Sequence, residues 1–406
     1  MTPAERVTEL LALYGSASAN AAELLCDWHP ADDVAFTVVE GDLSSRDLTY
    51  GQLRDESARF AAALAELGVE PGDAVAALMG KSAELVVALL GIWRRGGVHV
   101  PLFTAFAPAA IALRLQASGA KVVLVDTDQR AKLQPGPDLP DDRPWQVVVV
   151  GGEPQRDELS FQDMIAAHRT DERGDASVAV GGDGVLVLLF TSGTTGTPKG
   201  VPVPVKALAS FVVYLELGLD VTPDDVFWNA ADPGWAYGLY YAILAPMAAG
   251  RRSLLLHAGF TASLTYQVMS ATASRTSPRR RLPGWSAAVL DDASDAGLGA
   301  GQLGRVAIRV ADSPLMWFTG YADAPEKTAE RFTADSTWYL TGDAGRTDED
   351  GWFYFSSRDD DIIIMAGYRI GPFDVESVLV MHPESWRPQS SECPTTSAAR
   401  CSRPSS

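Results

Sequence analysis

Apolar positions in the first 150 residues switch between two spacings. From Thr49 to Val69 (TYGQLRDESARFAAALAELGV) they recur at helical intervals and stop at Gly68, which predicts a helix. DAVAALM (Asp73–Met79) is a continuous apolar run of strand length, and SAELVVALLGIWRRG after it reads as a helix. GGVHVPL and AKVVLVD (Ala120–Asp126) read as further strands with a helix between them. Such alternation predicts a parallel sheet covered on both faces. QPGPDLPDDRP (Gln134–Pro144) reads as a loop. VLVLLF (Val185–Phe190) is again a buried strand; a Gly/Thr/Ser loop follows, then PVKALASFVVYLELGL, which reads as a helix. Further on, GRVAIRV, WYLTGD and GWFYFSSR predict short strands joined by turns. SATASRTSPRRR (Ser270–Arg281) and everything after Pro383 fit neither spacing, and no internal repeat is visible.

Composition narrows the class. The 406 residues are 47% hydrophobic and 21% charged, enough for a large core in two or three units. A net charge of −19 argues against nucleic acid and anionic membrane as partners. It leaves nucleotides open, because local groups meet their phosphates. The N-terminal MTPAERVTELLALYG has no basic stretch, so no signal peptide is expected. Runs such as LVVALLGIW (Leu85–Trp93) are too short to cross a bilayer. Cys26, Cys393 and Cys401 lack metal-ligand spacing, and a reduced, cytoplasmic protein is the expectation. Scarce Lys beside abundant Arg, Ala and Gly points to GC-rich coding.

The densest chemistry lies in LFTSGTTGTPKGV (Leu189–Val201). Glycines let backbone N–H groups converge on phosphate oxygens, and Thr191, Ser192, Thr194 and Thr195 offer hydroxyl donors. Lys199 offers a point charge, and a following helix would aim its N-terminus at the anion. The loop is not a Walker A motif: Pro198 stands where the second glycine belongs, and Gly200 follows Lys199 in place of Ser or Thr. Glycines at 193, 196 and 200 do not make a dinucleotide fingerprint either. The plain alternative is a flexible linker.

TSGTTGTPKG resembles the phosphate loop of the adenylate-forming (AMP-binding) superfamily, which includes acyl-CoA synthetases, adenylation domains of peptide synthetases and luciferases. Three more stretches fall in the family's order. WYLTGDAGRTDEDGWFYF (Trp338–Phe355) is similar to its ribose-binding segment, and SRDDDIIIMAGYRIGPFDVES (Ser357–Ser377) to its hinge and the start of its small C-terminal domain. WNAADPGWAYGL (Trp228–Leu239) resembles the acyl-pocket region of short- and medium-chain acyl-CoA synthetases. The likeness spans residues 40–383.

The resemblance implies an α/β fold: a large N-terminal domain over 1–357 with parallel sheets covered by helices and a small β-rich subdomain, then only the start of the C-terminal domain over 358–383. It implies two half-reactions with ATP, Mg²⁺ and coenzyme A: a carboxylic acid is adenylated, and a thiol then displaces AMP. Thr191, Ser192, Gly193, Thr194, Thr195, Gly196 and Lys199 would hold phosphates. Asp343 would accept from the ribose hydroxyls, unless it is only a turn residue, and Arg358 would touch the ribose, unless it is only a surface ion pair. Asp360 matches the hinge or is one member of a solvated acidic run. Ala366, Gly367 and Tyr368 match the coenzyme A tunnel, Arg369 the position beside the acyl-phosphate, and Trp235 the acyl pocket, where a core tryptophan is the alternative. No residue is assigned to a metal. An adenylation domain serving a carrier protein, or a catalytically dead remnant, are the other readings.

The chain also departs from the family. Between LTYQVM (Leu264–Met269) and LPGWSAAVLDD (Leu282–Asp292) the family carries a long segment with a Y-G-x-T-E motif whose Glu binds Mg²⁺; here twelve residues remain, 270–281. The family's late catalytic Lys is also missing. Back-translated with GC-rich codons and shifted by one base, SATASRTSPRR becomes ERYGVTNFAAA, and the tail after Pro383 becomes VVEAAVVGVPDDQRGAVFKAFV; both continue the family pattern. A gene with two frameshifts, or sequencing errors of that kind, is therefore expected. Residues 384–406, rich in Ser, Pro and Arg, are expected to be disordered, and adenylation is expected to be impaired.

Overall fold

The computed structural model describes residues 2–140, 142–168, 177–191, 198–259, 261, 264–265, 267–268, 282–358, 363–365 and 368–370. The two stretches outside every sequence pattern, 270–281 and 384–406, are not among them.

The N-terminal helix α1 (Pro3–Tyr14) starts at a capping box made by Thr2 and Glu5. β1 (Val34–Glu40) and β2 (Ser45–Thr49) form an antiparallel hairpin. Thr49 then caps α2 (Tyr50–Glu66) in a second box with Gln52, and Gly68, at φ +74°, follows its end. These are the bounds the apolar spacing predicts.

Next comes the alternating unit. β3 (Ala74–Leu78), α3 (Ala83–Arg94), β4 (Val98–Pro101), α4 (Pro108–Ser118), β5 (Val122–Asp126), β6 (Gln146–Val150), β7 (Leu159–Ser160), α5 (Phe161–Ala167), β8 (Val185–Thr191) and β9 (Lys199–Pro204) follow in order. The seven strands lie in the order β7-β6-β5-β3-β4-β8-β9, parallel except for the last pair. Successive residues of β3 feed two cores: Val75 and Ala77 face α3 and α2, while Ala74, Ala76 and Leu78 face α4. Helix α3 is buried almost all round, as a central helix must be, and each fully buried Leu, Val or Ile contributes about 1.5–3 kcal/mol. Gly91 lets it approach α2, since a Cβ there would stand 2.6 Å from Phe60. Its last-turn Arg94 forks onto Asp27 at 2.7 and 2.8 Å.

One expectation is corrected here. The chain leaves the Gly/Thr/Ser loop as a strand, not a helix: β9 returns antiparallel to β8, and α6 (Leu208–Val213) begins only after it. Pro202 and Pro204 fit because β9 is the edge of its sheet, where an N–H facing outward is not needed. No helix N-terminus of α6 stands directly behind the loop.

Further along, β10 (Phe227–Trp228) and β11 (Ser253–His257) join the first hairpin in a second sheet, β10-β11-β1-β2. The sequence reading passed over this sheet. β12 (Ala287–Leu290), β13 (Gly304–Arg309), β14 (Trp338–Thr347) and β15 (Phe353–Arg358) make the β-rich region, a wholly antiparallel meander. β16 (Ile363–Met365) and β17 (Tyr368–Ile370) pair with each other.

Candidate active site

Thr191 ends β8 and Lys199 starts β9, and the two face each other as a cross-strand pair that closes the loop at its base. Ser192, Gly193, Thr194, Thr195 and Gly196 lie outside the described residues. The Lys199 ammonium stands 5.4 Å from the centre of the Tyr321 ring, within reach of a cation–π attraction. The next carbonyl, that of Gly200, accepts the Ala322 N–H at 2.8 Å. Tyr321 is thereby tied to β9, and its own N–H donates to Thr328 Oγ1 at 2.9 Å.

From Tyr321 the polar chain continues. Arg331 Nε donates to the Tyr321 hydroxyl at 3.2 Å. The Arg331 carbonyl accepts the Leu340 N–H at 2.8 Å, and Phe332 bridges Tyr339, so this segment runs along β14. Within β14, Gly342 takes φ +80°; a Cβ there would meet Arg331 Nη1 at 2.8 Å and Arg358 Nη2 at 3.0 Å. Only glycine permits both the turn and the two guanidiniums. Asp343 faces Arg358 across the β14–β15 ladder, and Arg358 Nη1 donates to Asp343 Oδ1 at 3.0 Å. Asp343 Oδ2 has no donor among the described residues. Burial pushes the Tyr339 phenol up, with Tyr321 and Asp343 adding to the rise and Arg331 and Arg358 opposing it.

The structure therefore brings Thr191, Lys199, Asp343 and Arg358 to one wall, although 144 positions separate Lys199 from Asp343 (343 less 199). Sequence reasoning missed the connectors, Tyr321, Arg331 and Tyr339. The stretch GYADAPEKTAERF carries no spacing that marks a site, and only folding places it between the two motifs. Asp360, Ala366 and Gly367 lie outside the described residues; Tyr368 and Arg369 stand in β17, paired with Met365 and Ile364.

Trp235 precedes the short helix Ala236–Gly238. It is 46% exposed and packs on Phe103 and Phe106, with ring centres 5.1 and 6.1 Å away. Its neighbour Phe103 lines a cavity of about 860 Å³ at the carboxyl ends of β3, β5, β6 and β11. The crevice between β3 and β5 is where the chain reverses its direction of winding through the sheet, a position open α/β sheets use for ligands. The lining charges are Lys81, His257, Glu84, Asp126, Asp128 and Asp232. Asp126 takes the Gly80 N–H at 2.7 Å, yet burial pushes its carboxyl up to about 6. Lys81 donates to the Ala230 carbonyl at 2.6 Å, and burial lowers its pKa. Carboxylates outnumber cations here, so this cavity repels a triphosphate, whereas the Lys199–Arg331–Arg358 wall attracts one. No cluster of three His, Cys, Asp or Glu side chains among the described residues forms a metal site.

Comparison with known proteins agrees with this geometry. The family model described as AMP-binding enzyme matches residues 26–279. The acetyl-coenzyme A synthetase of Bacillus subtilis (strain 168) is 30% identical over 414 residues, which cover 82% of this chain and 71% of that protein. A mitochondrial acyl-coenzyme A synthetase of Mus musculus is 26% identical, over 86% of this chain and 72% of its own. The crystal structure of a Brucella canis acyl-CoA synthetase superposes with a TM-score of 0.78 at 32% identity, covering 94% of this chain and 83% of that one. In the B. subtilis alignment, 82% of 406 residues is about 333, so about 81 of the 414 positions hold a residue of the relative and none of this chain. By its sequence match and its fold, the chain belongs to the AMP-binding enzyme family.

Proposed function

We propose that the chain is an AMP-forming acyl-CoA synthetase: it uses ATP to adenylate a short- or medium-chain carboxylic acid, and coenzyme A then takes the acyl group. The observation that carries this is the wall joining Lys199 to Asp343 through Tyr321 and Arg331. Transfer at phosphorus needs charge neutralisation and in-line positioning more than covalent help from protein groups. Lys199 and the loop from Thr191 hold the departing phosphates. Asp343 Oδ2, free of donors among the described residues, accepts from the ribose, with Arg358 fixing the carboxylate's other oxygen at 3.0 Å. A Mg²⁺ ion carried by the triphosphate would offset part of its charge; no residue of this chain is assigned to hold it. Arg369 serves the acyl-phosphate, Ala366, Gly367 and Tyr368 the thiol passage, Asp360 the hinge, and Trp235 the acyl wall. Residues 1–357 form the large domain, 358–383 the hinge and start of the small one, and 384–406 a frameshifted tail. Buried, unpaired Cys26 fits a reduced cytoplasmic setting; among the described residues no helix is long and apolar enough to cross a membrane.

Adenylation by this chain is slow, because about 81 aligned positions of the B. subtilis relative have no counterpart in it. A nucleotide-binding remnant is thus the second reading. Titration calorimetry with MgATP, paired with ATP–pyrophosphate exchange over a panel of acids, separates the two. ATP binding that falls at least about tenfold in Asp343→Ala supports the site, since a bond to a charged acceptor is worth about 1.5–3 kcal/mol. Exchange with at least one acid supports the synthetase. Binding without exchange leaves the remnant, and no ATP binding at millimolar concentration refutes both.

A further inference from the structure

One cation of the wall stands outside every ion pair among the described residues. Among the described residues Arg331 makes no ion pair; its Nε is engaged by a neutral phenol, that of Tyr321, and its Nη1 points at Gly342. The adjacent carboxylates are already taken: Glu330 by Lys327 at 2.6 and 2.9 Å, and Asp343 by Arg358. Arg331 and Arg358 also flank the same point beside Gly342, at 2.8 and 3.0 Å. Two guanidiniums that close repel each other unless an anion lies between them, and Asp343 Oδ1 faces only Arg358. In a chain of net charge −19, the cations Lys199, Lys327, Arg331 and Arg358 beside the two carboxylates Glu330 and Asp343 are a local reversal of sign.

We propose that Arg331 is a phosphate-binding residue of the nucleotide site, holding the phosphate that adjoins the ribose. The inference rests on the proposed function and adds a contact to it. Position argues for this phosphate: Arg331 stands between Lys199, at the mouth of the phosphate loop, and Asp343, at the ribose. Orientation argues for it too. The Leu340 N–H and the Phe332–Tyr339 bridge fix the Arg331 backbone, and the Tyr321 hydroxyl fixes its Nε, leaving both Nη groups to donate. A guanidinium is permanently charged and planar, and matches two phosphate oxygens at once. The attacked phosphorus is the one next to the ribose, so a charge placed there stabilises what builds up as pyrophosphate leaves.

The test is calorimetric titration of the full chain and its variants with MgATP, AMP and adenosine. Arg331→Ala is expected to weaken ATP and AMP about 10- to 100-fold, the range for one charge-assisted contact, while adenosine binds as before. Arg331→Lys is expected to recover part of the loss. Tyr321→Phe, which frees Nε but keeps the charge, is expected to cost far less than Arg331→Ala. The proposal is overturned if Arg331→Ala binds ATP as tightly as the parent, or if ATP and adenosine weaken equally, which marks a merely structural side chain. Should the parent bind adenosine nucleotides in no form, the proposed function falls and this contact with it. Circular dichroism and melting of each variant identify any loss caused by unfolding, in which case Arg331→Lys decides.

Discussion

Two titratable side chains, one buried and one half-buried, make opposite demands on pH. His99 lies in the central strand β4, fully enclosed; its ring bonds the Val75 backbone and its Nδ1 has no partner among the described residues. Burial pushes its pKa down to about 3 from the ordinary 6.5. The unfolded chain therefore takes a proton that the fold refuses. Stability is whole above pH 6.5 and is lost as pH falls from 6.5 toward 3, at up to about 1.4 kcal/mol per unit. Urea midpoints measured from pH 7.5 down to 4.5 should show that slope, and His99→Gln should flatten it; an unchanged slope would rule His99 out. Asp126 runs the other way. Its pKa is raised from 3.8 to about 6, so the fold prefers the proton and is weakened as pH rises through that window. Asp126→Asn keeps an acceptor for the Gly80 N–H and should stabilise by on the order of 1–3 kcal/mol at neutral pH, with no gain at pH 4. A thermal shift equal at both pH values would contradict the assignment. At this scale Lys199, Asp343 and Arg358 were legible because each sits in a recognisable local motif. Arg331, Tyr321 and the cavity carboxylates were not, since their meaning comes from neighbours far away in sequence.

Among the elements, those with a clean period and punctuation were legible. α2 is the best case: Thr49 and Gln52 announce its start and Gly68 its end. Removing the cap by Thr49→Ala leaves the Gln52 N–H of the first turn without its partner and should cost about 1 kcal/mol, read as a lowered melting temperature with unchanged ATP affinity. The strand β9 was passed over because KGVPVP carries two prolines, a residue whose preference is against strands, while the helix read from Pro204 does follow, as a 3₁₀ turn at Val205–Ala207 leading into α6. The ladder from Thr191–Lys199 to Val185–Pro204 overrides that preference. The sheet β10-β11-β1-β2 escaped notice for another reason: its parallel partners β1 and β11 are more than two hundred positions apart, and β10 is two residues long.

For the whole molecule, the alternating unit and the antiparallel meander follow from pattern alone, whereas the relatives' extra segment is read only through resemblance to the family. Its junction leaves physical traces. The small third core packs Val39, Leu254, Leu256 and Val268 under Trp228 and Leu264, and the buried Trp228 Nε1 and Thr265 Oγ1 have no partner among the described residues. Unpaired buried polar atoms of this kind cost roughly 1–3 kcal/mol each. Genomic DNA across Met269 should reveal a one-base slip. A frame-restored protein should then unfold at higher urea with a steeper dependence, because more surface is buried, and should exchange pyrophosphate faster. An in-frame gene with unchanged stability on insertion of the segment would end that account.

Among the described residues one backbone bond joins the seven-stranded sheet to the segment between β13 and β14 of the meander, from the Ala322 amide to the Gly200 carbonyl at 2.8 Å. It is a stitch: Gly200 follows the lysine that closes the loop, and Ala322 follows the tyrosine that leads through Arg331 toward Asp343. Any separation of the two sheets must undo it before Lys199 and Asp343 can drift apart. The lifetime of that single proton against deuterium is consequently a clock for how often the two halves of the grip lose each other.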